Sequence, residues 1–183
     1  VPKLVTLMMA LGRQTRSEDA LATILDVEVR TVQYYIDLAR WLGFVRRTTD
    51  GPALTDIGFS FYDSVAARGR LFSNAVFKRE IVKLANEFKR DADANTDGPG
   101  ISTSEACRRA IERTTELSES TARRRASSLA RLLEAAYQPG HVNWDTGEWL
   151  DAYRSAPLEF EGESFLTAIG ALELGLNRRL VLG

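Results

Sequence analysis

The chain has 183 residues, one large domain or two small ones, and 44% of them are hydrophobic, enough for a buried core and against wholesale disorder. One cysteine (Cys107) and one histidine (His141) exclude an internal disulfide framework and leave too few soft ligands for a zinc site. The net charge of −1 argues against a nucleic-acid partner, but residues 1–140 hold 21 Lys/Arg against 18 Asp/Glu, whereas 141–183 hold 3 against 7.

Arg68 to Arg90 is the most basic long stretch, with 7 basic and 2 acidic residues. Binding follows the local field of a face more than the total charge, so a basic face remains compatible with DNA. No apolar run reaches the length of a membrane span and no signal peptide is recognisable. A reducing, cytoplasmic, nucleoid-associated location without membrane contact is therefore expected. The valine at position 1 and the apolar finish "RRLVLG" suggest a piece of a longer protein.

In chain order, "KLVTLMMALG" (3–12) predicts a buried helix closed by Gly12. "TRSEDALATIL" predicts a second, with Thr15 and Glu18 at capping-box spacing and an apolar stripe of Ala20, Leu21, Ile24 and Leu25. After "DVE", a third helix is expected over about 29–42, burying Val32, Ile36, Ala39 and Leu42. "FVRRTTDGPALT" then has the Asp-Gly signal of a hairpin, weakened by Pro52.

"DIGFSFYDSVAARG" restarts helical spacing, and a long helix is expected over 73–90 with Phe77, Ile81, Leu84 and Phe88 on one stripe. "RDADANTDGPG" is the clearest loop. Two more helices follow, split near Glu116–Ser118, and a last one over 164–176 places Phe165, Ile169 and Leu172 on one face. Trp144, Trp149 and Tyr153 are expected to pack beneath that helix or against a partner.

The helix pair after the loop repeats the pattern of the earlier pair. Ser102 and Glu105 answer Thr15 and Glu18 at an offset of 87, and Thr121-Ala122 answers Thr31-Val32 at 90. Leu117, Ala126, Leu129 and Leu132 answer Val27, Ile36, Ala39 and Leu42. Two copies of one unit are expected, with boundaries at 1–70 and 71–140, followed by an acidic and aromatic extension over 141–183.

"LDVEVRTVQYYIDLARWLGFV" with the later "LTDIG" resembles the winged helix-turn-helix DNA-binding domains, through Arg30-Thr31-Val32 and the exit Leu42-Gly43-Phe44. Glu28 departs from the pattern, standing where serine is common, so a weaker cap is expected. With the later "STARRRASSL", the spelling is also similar to winged-helix modules attached to bacterial restriction endonucleases. The general likeness covers residues 3–65 well and 75–136 less well. It implies a mainly α fold of two tandem winged helix-turn-helix-like units, with short hairpin wings and a C-terminal helical extension.

In such a fold the third helix enters the major groove of double-stranded DNA. With its apolar face inward, Arg30, Thr31, Gln33, Tyr34 and Asp37 lie outward or on the flank, and arginine and glutamine match guanine and adenine edges. Tyr35 is expected to pack partly inside, Tyr34 to meet phosphate or base. Arg46, Arg47 and Thr48 fall on the wing, where cations meet phosphates, although charges there also suit an exposed edge strand. In the second unit Ser120, Thr121, Arg123, Arg124 and Ser127 take the corresponding positions, with Ser118 as N-cap and Arg125 nearer the flank; the arginine run could equally be a solvated face paired with Glu116 or Glu119.

Double-stranded DNA is thus the expected partner, with no catalysis by this chain, no metal and no cofactor. A homodimer, a nuclease domain or another protein are further partners to weigh. Two alternatives stay open: the specificity arm of a restriction or phage-defence enzyme, and a protein-docking module. His141, Asp145 and Glu148 share no fixed face, no glycine-rich phosphate loop occurs, and Glu159, Glu161 and Glu163 lack a neighbouring lysine and read as an exposed acidic turn.

Overall fold

The structure is a computed structural model describing residues 1–14, 16–94 and 100–150. It is mainly helical, and the described residues hold eight α-helices, α1 to α8, and four short strands, β1 to β4. They divide into two compact units, Val1–Phe77 with the described residues from Gln138 to Leu150, and Lys78–Tyr137. The division thus falls after residue 77, not after 70.

In the first unit α1 (Pro2–Arg13) buries Leu4, Val5, Leu7, Met8 and Leu11. Gly12 does not close it. It lies inside the helix, where a Cβ would run into the ring of Tyr62. The helix instead ends at Gln14 in extended backbone.

Helix α2 (Glu18–Leu25) is capped by Ser17, whose Oγ accepts from the Ala20 amide at 3.3 Å. Thr15, the expected cap, lies outside the described residues. Of the expected stripe, Leu21 and Leu25 are buried, while Ile24 is 40% exposed. Asp26 closes α2 in the left-handed region (φ 51°), and Lys3 Nζ donates to the Leu25 carbonyl.

Helix α3 (Val29–Trp41) buries Val32, Ile36 and Ala39, with Leu42 just beyond, as the spacing predicts. Gly43 (φ 83°) then reverses the chain, with Gly43 N donating to the Arg40 carbonyl and Phe44 N to that of Ala39, both at 2.9 Å. That turn feeds an antiparallel hairpin, β1 (Val45–Thr48) and β2 (Gly51–Leu54), registering Val45 with Leu54 and Thr48 with Gly51. Pro52 is accommodated because a two-stranded ribbon has a free edge.

The "LTDIG" stretch fastens this hairpin. Leu54 is buried, and the Thr55 hydroxyl donates to the carbonyls of Gly43 (2.7 Å) and Phe44 (3.2 Å) while accepting from Gly58 N at 3.1 Å. Thr55 thereby caps α4 (Asp56–Asp63), and Gly58 brings that helix so close to Phe44 that a Cβ would strike its carbonyl oxygen.

The expected long helix over 73–90 is two helices, α5 (Val65–Phe77) and α6 (Glu80–Ala94). Its expected stripe is off by one position: Phe77, Ile81, Leu84 and Phe88 are half-buried, whereas Val82, Ala85 and Lys89 are buried. The basic stretch from Arg68 to Arg90 is consequently no single face, because Arg68 and Lys89 are both buried, in different units.

Arg68 joins three parts of the first unit. Its Nε donates to the Phe61 carbonyl (2.9 Å), Nη1 to that of Trp144 (2.8 Å), and Nη2 to that of Tyr62 (3.0 Å). The described residues 138–150 therefore belong to the first unit and not to a separate extension. Pro139–His141 forms a 3-10 turn, and β3 (Val142–Asn143) pairs with β4 (Glu148–Trp149). Trp144 packs on Phe61 and Phe72 at ring distances of 6.3 and 5.2 Å, and its Nε1 donates to the Pro139 carbonyl. Tyr153, the acidic residues 159–163 and the helix expected over 164–176 lie outside the described residues.

The second unit contains α6, α7 (Thr103–Thr114) and α8 (Glu119–Tyr137). α7 packs against both neighbours through small side chains: Ala106, Ala110, Ala122, Ala126 and Ala130 are all buried. Cys107 is buried among them, and that burial pushes its thiol up to about 12. The Tyr137 hydroxyl donates to Asn86 Oδ1 at 2.9 Å. Among the described residues this unit has no strand, so α8 runs on where α3 turns into a hairpin. No helix of the described residues is long and apolar enough to cross a membrane.

Candidate nucleic-acid interface

The outward side of α3 begins at Glu28, which occupies the N-cap position without a side-chain hydrogen bond. The first amides of α3 thus have no side-chain acceptor, unlike those of α2 and α7. Arg30 and Tyr34 are exposed, Tyr34 at 52%, and Thr31 is half-buried. Tyr35 is half-buried, edge-on to Tyr34 at 5.4 Å, and burial raises its phenol above the ordinary value.

Gln33 is not free. Its Nε2 donates to Glu18 Oε1 on α2, and its Oε1 accepts from Arg47 Nη2 at 2.9 Å. With both ends of the amide engaged, Gln33 links α2, α3 and β1. Arg47 also lies 3.7 Å from Asp37 Oδ1, the atom that accepts from Arg40 Nη1 at 3.1 Å. These bonds hold the hairpin arginine Arg47 against Gln33 and Asp37 of α3.

On the hairpin, Arg46, Arg47 and Thr48 are exposed, and Thr48 Oγ1 donates to the Gly51 carbonyl at 2.8 Å. Arg30 and Arg46 form no ion pair among the described residues. The N-terminal end of α3 is acidic: Asp19, Asp26 and Glu28 line a shallow cleft at the α2–α3 turn.

In the second unit Ser102 caps α7, its Oγ accepting from Glu105 N at 3.1 Å. Half of the expected capping box forms. The Glu105 carboxylate is taken instead by Arg108 (2.7 Å) and Arg109 (2.9 Å), whose hydrogen bonds hold it down at about 2 against an ordinary 4.5. Aligning the observed caps, Ser17 with Ser102, sets the first offset of the repeat at 85 rather than 87. The inward positions correspond as expected at Ala122, Ala126 and Leu129, whereas Leu133 is buried and Leu132 only half-buried.

The polar start of α8 is partly self-satisfied. Ser118 Oγ bonds the hydroxyls of Thr121 (3.0 Å) and Ser120 (3.4 Å), and Arg123 pairs with Glu119 at 2.9 Å. Arg123, Arg108, Glu105 and Glu119 line one shallow cleft of about 340 Å³ in which their charges cancel. Arg124 and Arg125 are exposed and without an ion pair among the described residues, and Ser127 Oγ donates to the Arg123 carbonyl at 3.4 Å. Arg125 is exposed like Arg123 and Arg124.

Of the Glu18–Gln33–Arg47–Asp37–Arg40 chain of contacts, sequence spacing carries only Asp37–Arg40, three residues apart on one helix. Among the described residues no three His, Cys, Asp or Glu side chains converge as metal ligands, and Asp145 lies 3.8 Å from Arg68. No protein-family model, curated protein or solved structure matches the chain.

Proposed function

We propose that the first unit is a winged helix-turn-helix that binds double-stranded DNA, with α3 in the major groove and the β1–β2 hairpin as wing on the flanking phosphates. The observation that carries this reading is the Arg47–Gln33 bond, which ties the hairpin to the helix, the two elements that carry Arg46 and Arg30, neither of them in an ion pair among the described residues. Phosphates are drawn to that side and kept from the acidic cleft of Asp19, Asp26 and Glu28.

The second unit contributes Arg124 and Arg125 as backbone contacts. It has no hairpin among its described residues and its Arg123 is neutralised, so a tandem of two equivalent readers is not the arrangement favoured here. Titration of a labelled duplex at low salt tests the proposal. Wild-type protein is expected to bind, and Arg30→Glu with Arg46→Glu to abolish most of that binding; equal affinity of the two proteins refutes it.

One observation favours a second reading beside it. Ile57, Phe59 and Val65 are 42–49% exposed on α4 and at the start of α5, elements that carry none of the DNA-contact residues. Exposed apolar side chains gathered in one stretch of chain are the kind a protein partner would cover. A pull-down that survives the Arg30/Arg46 double variant but fails with Phe59→Ser would support it.

A further inference from the structure

We propose that Asp37 is a specificity-determining residue of the α3 surface, accepting a hydrogen bond from the exocyclic amine of a cytosine. The inference rests on the DNA-binding reading given above. Asp37 lies on the outward side of α3, its side chain 58% exposed, seven residues beyond Arg30. At 1.5 Å per residue the two are separated by about 10 Å along the helix, so they meet different base pairs.

A carboxylate on a surface that must approach a polyanion weakens binding unless it is compensated. Here Arg40 at 3.1 Å and Arg47 at 3.7 Å both approach Oδ1, which leaves Oδ2 without a partner among the described residues. Gln33 holds Arg47 in place and is itself held by Glu18. The carboxylate is therefore oriented by two guanidiniums, one of them steadied by Gln33, and keeps one oxygen for a donor.

The major groove offers few such donors. Guanine N7 and O6 and thymine O4 are acceptors and repel a carboxylate. Adenine presents its N6 amine beside the N7 acceptor, whereas cytosine presents its N4 amine without an adjacent acceptor. Cytosine is the edge that a carboxylate oxygen fits. Gln33, the side chain whose chemistry would suit adenine, is a positioning residue, because both ends of its amide are engaged.

The test is selection of bound duplexes from a random pool by wild type, Asp37→Ala, Asp37→Asn and Gln33→Ala, with each protein checked for its helical spectrum. Wild type is expected to recover a motif with one cytosine preferred by roughly tenfold or more. Asp37→Ala should flatten that position alone, and Asp37→Asn should move it toward adenine, whose N6 and N7 an amide can bond. Gln33→Ala should lower affinity for all duplexes and blunt the cytosine preference only in part, because Arg40 still holds Asp37 Oδ1, whereas a merely structural role for Asp37 would alter no single base position. An unchanged cytosine preference in Asp37→Ala overturns the inference and leaves DNA binding standing. Duplex binding without any motif overturns it likewise, and absence of binding by wild type overturns both.

Discussion

The guanidinium of Arg47 donates to Oε1 of Gln33 at 2.9 Å, and through that bond a strand residue is fixed on the outward face of α3. Gln33 therefore acts with the hairpin and not as an independent reader. Arg46→Ala and Arg47→Ala are expected to weaken binding to all duplexes alike and each to lower the salt slope by about 1. Gln33→Ala should resemble them, because it frees Arg47. Arg30→Ala should cost about 1–3 kcal/mol on the preferred duplex and relax specificity. Titrations of matched and scrambled duplexes separate the two behaviours, and unchanged affinity in all four variants would remove the basis for the assignment.

Gly58 is a position in the first unit where a side chain would meet backbone rather than a movable side chain. A Cβ there would strike the Phe44 carbonyl oxygen, which is fixed by bonds from both the amide and the hydroxyl of Thr55. Gly58→Ala is expected to destabilise the unit by about 1–3 kcal/mol through overpacking. Urea unfolding followed by tryptophan fluorescence measures this, and a midpoint equal to wild type would contradict the packing described.

Local patterns carried much of the fold. The 4-3-3 spacing of Val32, Ile36, Ala39 and Leu42 marked the buried side of α3, Leu42-Gly43-Phe44 marked its end, and Asp50-Gly51 marked the hairpin. The break between α5 and α6 was not legible, because Phe77-Lys78-Arg79-Glu80 contains neither glycine nor proline and continues helical spacing. Nor could spacing reveal that Trp144 fills the first unit's core, since that contact joins residues more than 70 positions apart. For the candidate site, the outward residue types were readable in advance. Their pairing was not, because Glu18, Gln33 and Arg47 meet only once three elements have packed.

Arg68 supplies donors to the carbonyls of Phe61, Tyr62 and Trp144 from a nearly fully buried position. Arg68→Met would leave those acceptors unmatched at ~1–3 kcal/mol each, so a loss of about 3 kcal/mol or more is expected. Arg68→Lys should recover little of it, because one ammonium cannot reproduce the planar fork. Both variants should also loosen the segment around Trp144, read as earlier amide exchange there. Exchange identical to wild type would show that Arg68 does not anchor this segment.

Glu105 makes the second unit's stability depend on pH in acid. The bonds from Arg108 and Arg109 hold its carboxyl at about 2, below the 4.5 of an unperturbed side chain. A depressed folded-state value contributes stability that is fully present above the unfolded value and is lost as pH falls through the folded one. The stability difference between wild type and Glu105→Gln should therefore be constant at neutral pH and shrink between pH 4.5 and about 2. A difference independent of pH across that window would show that the charge on Glu105 contributes nothing.

The most direct test of DNA binding is selection from a random duplex pool by the wild-type chain, followed by titration of the recovered duplexes across a salt series. The account predicts a recovered motif and an affinity that falls steeply with salt, as expected when Arg30, Arg46 and Arg47 displace counterions. Failure to retain any duplex at low salt would contradict it.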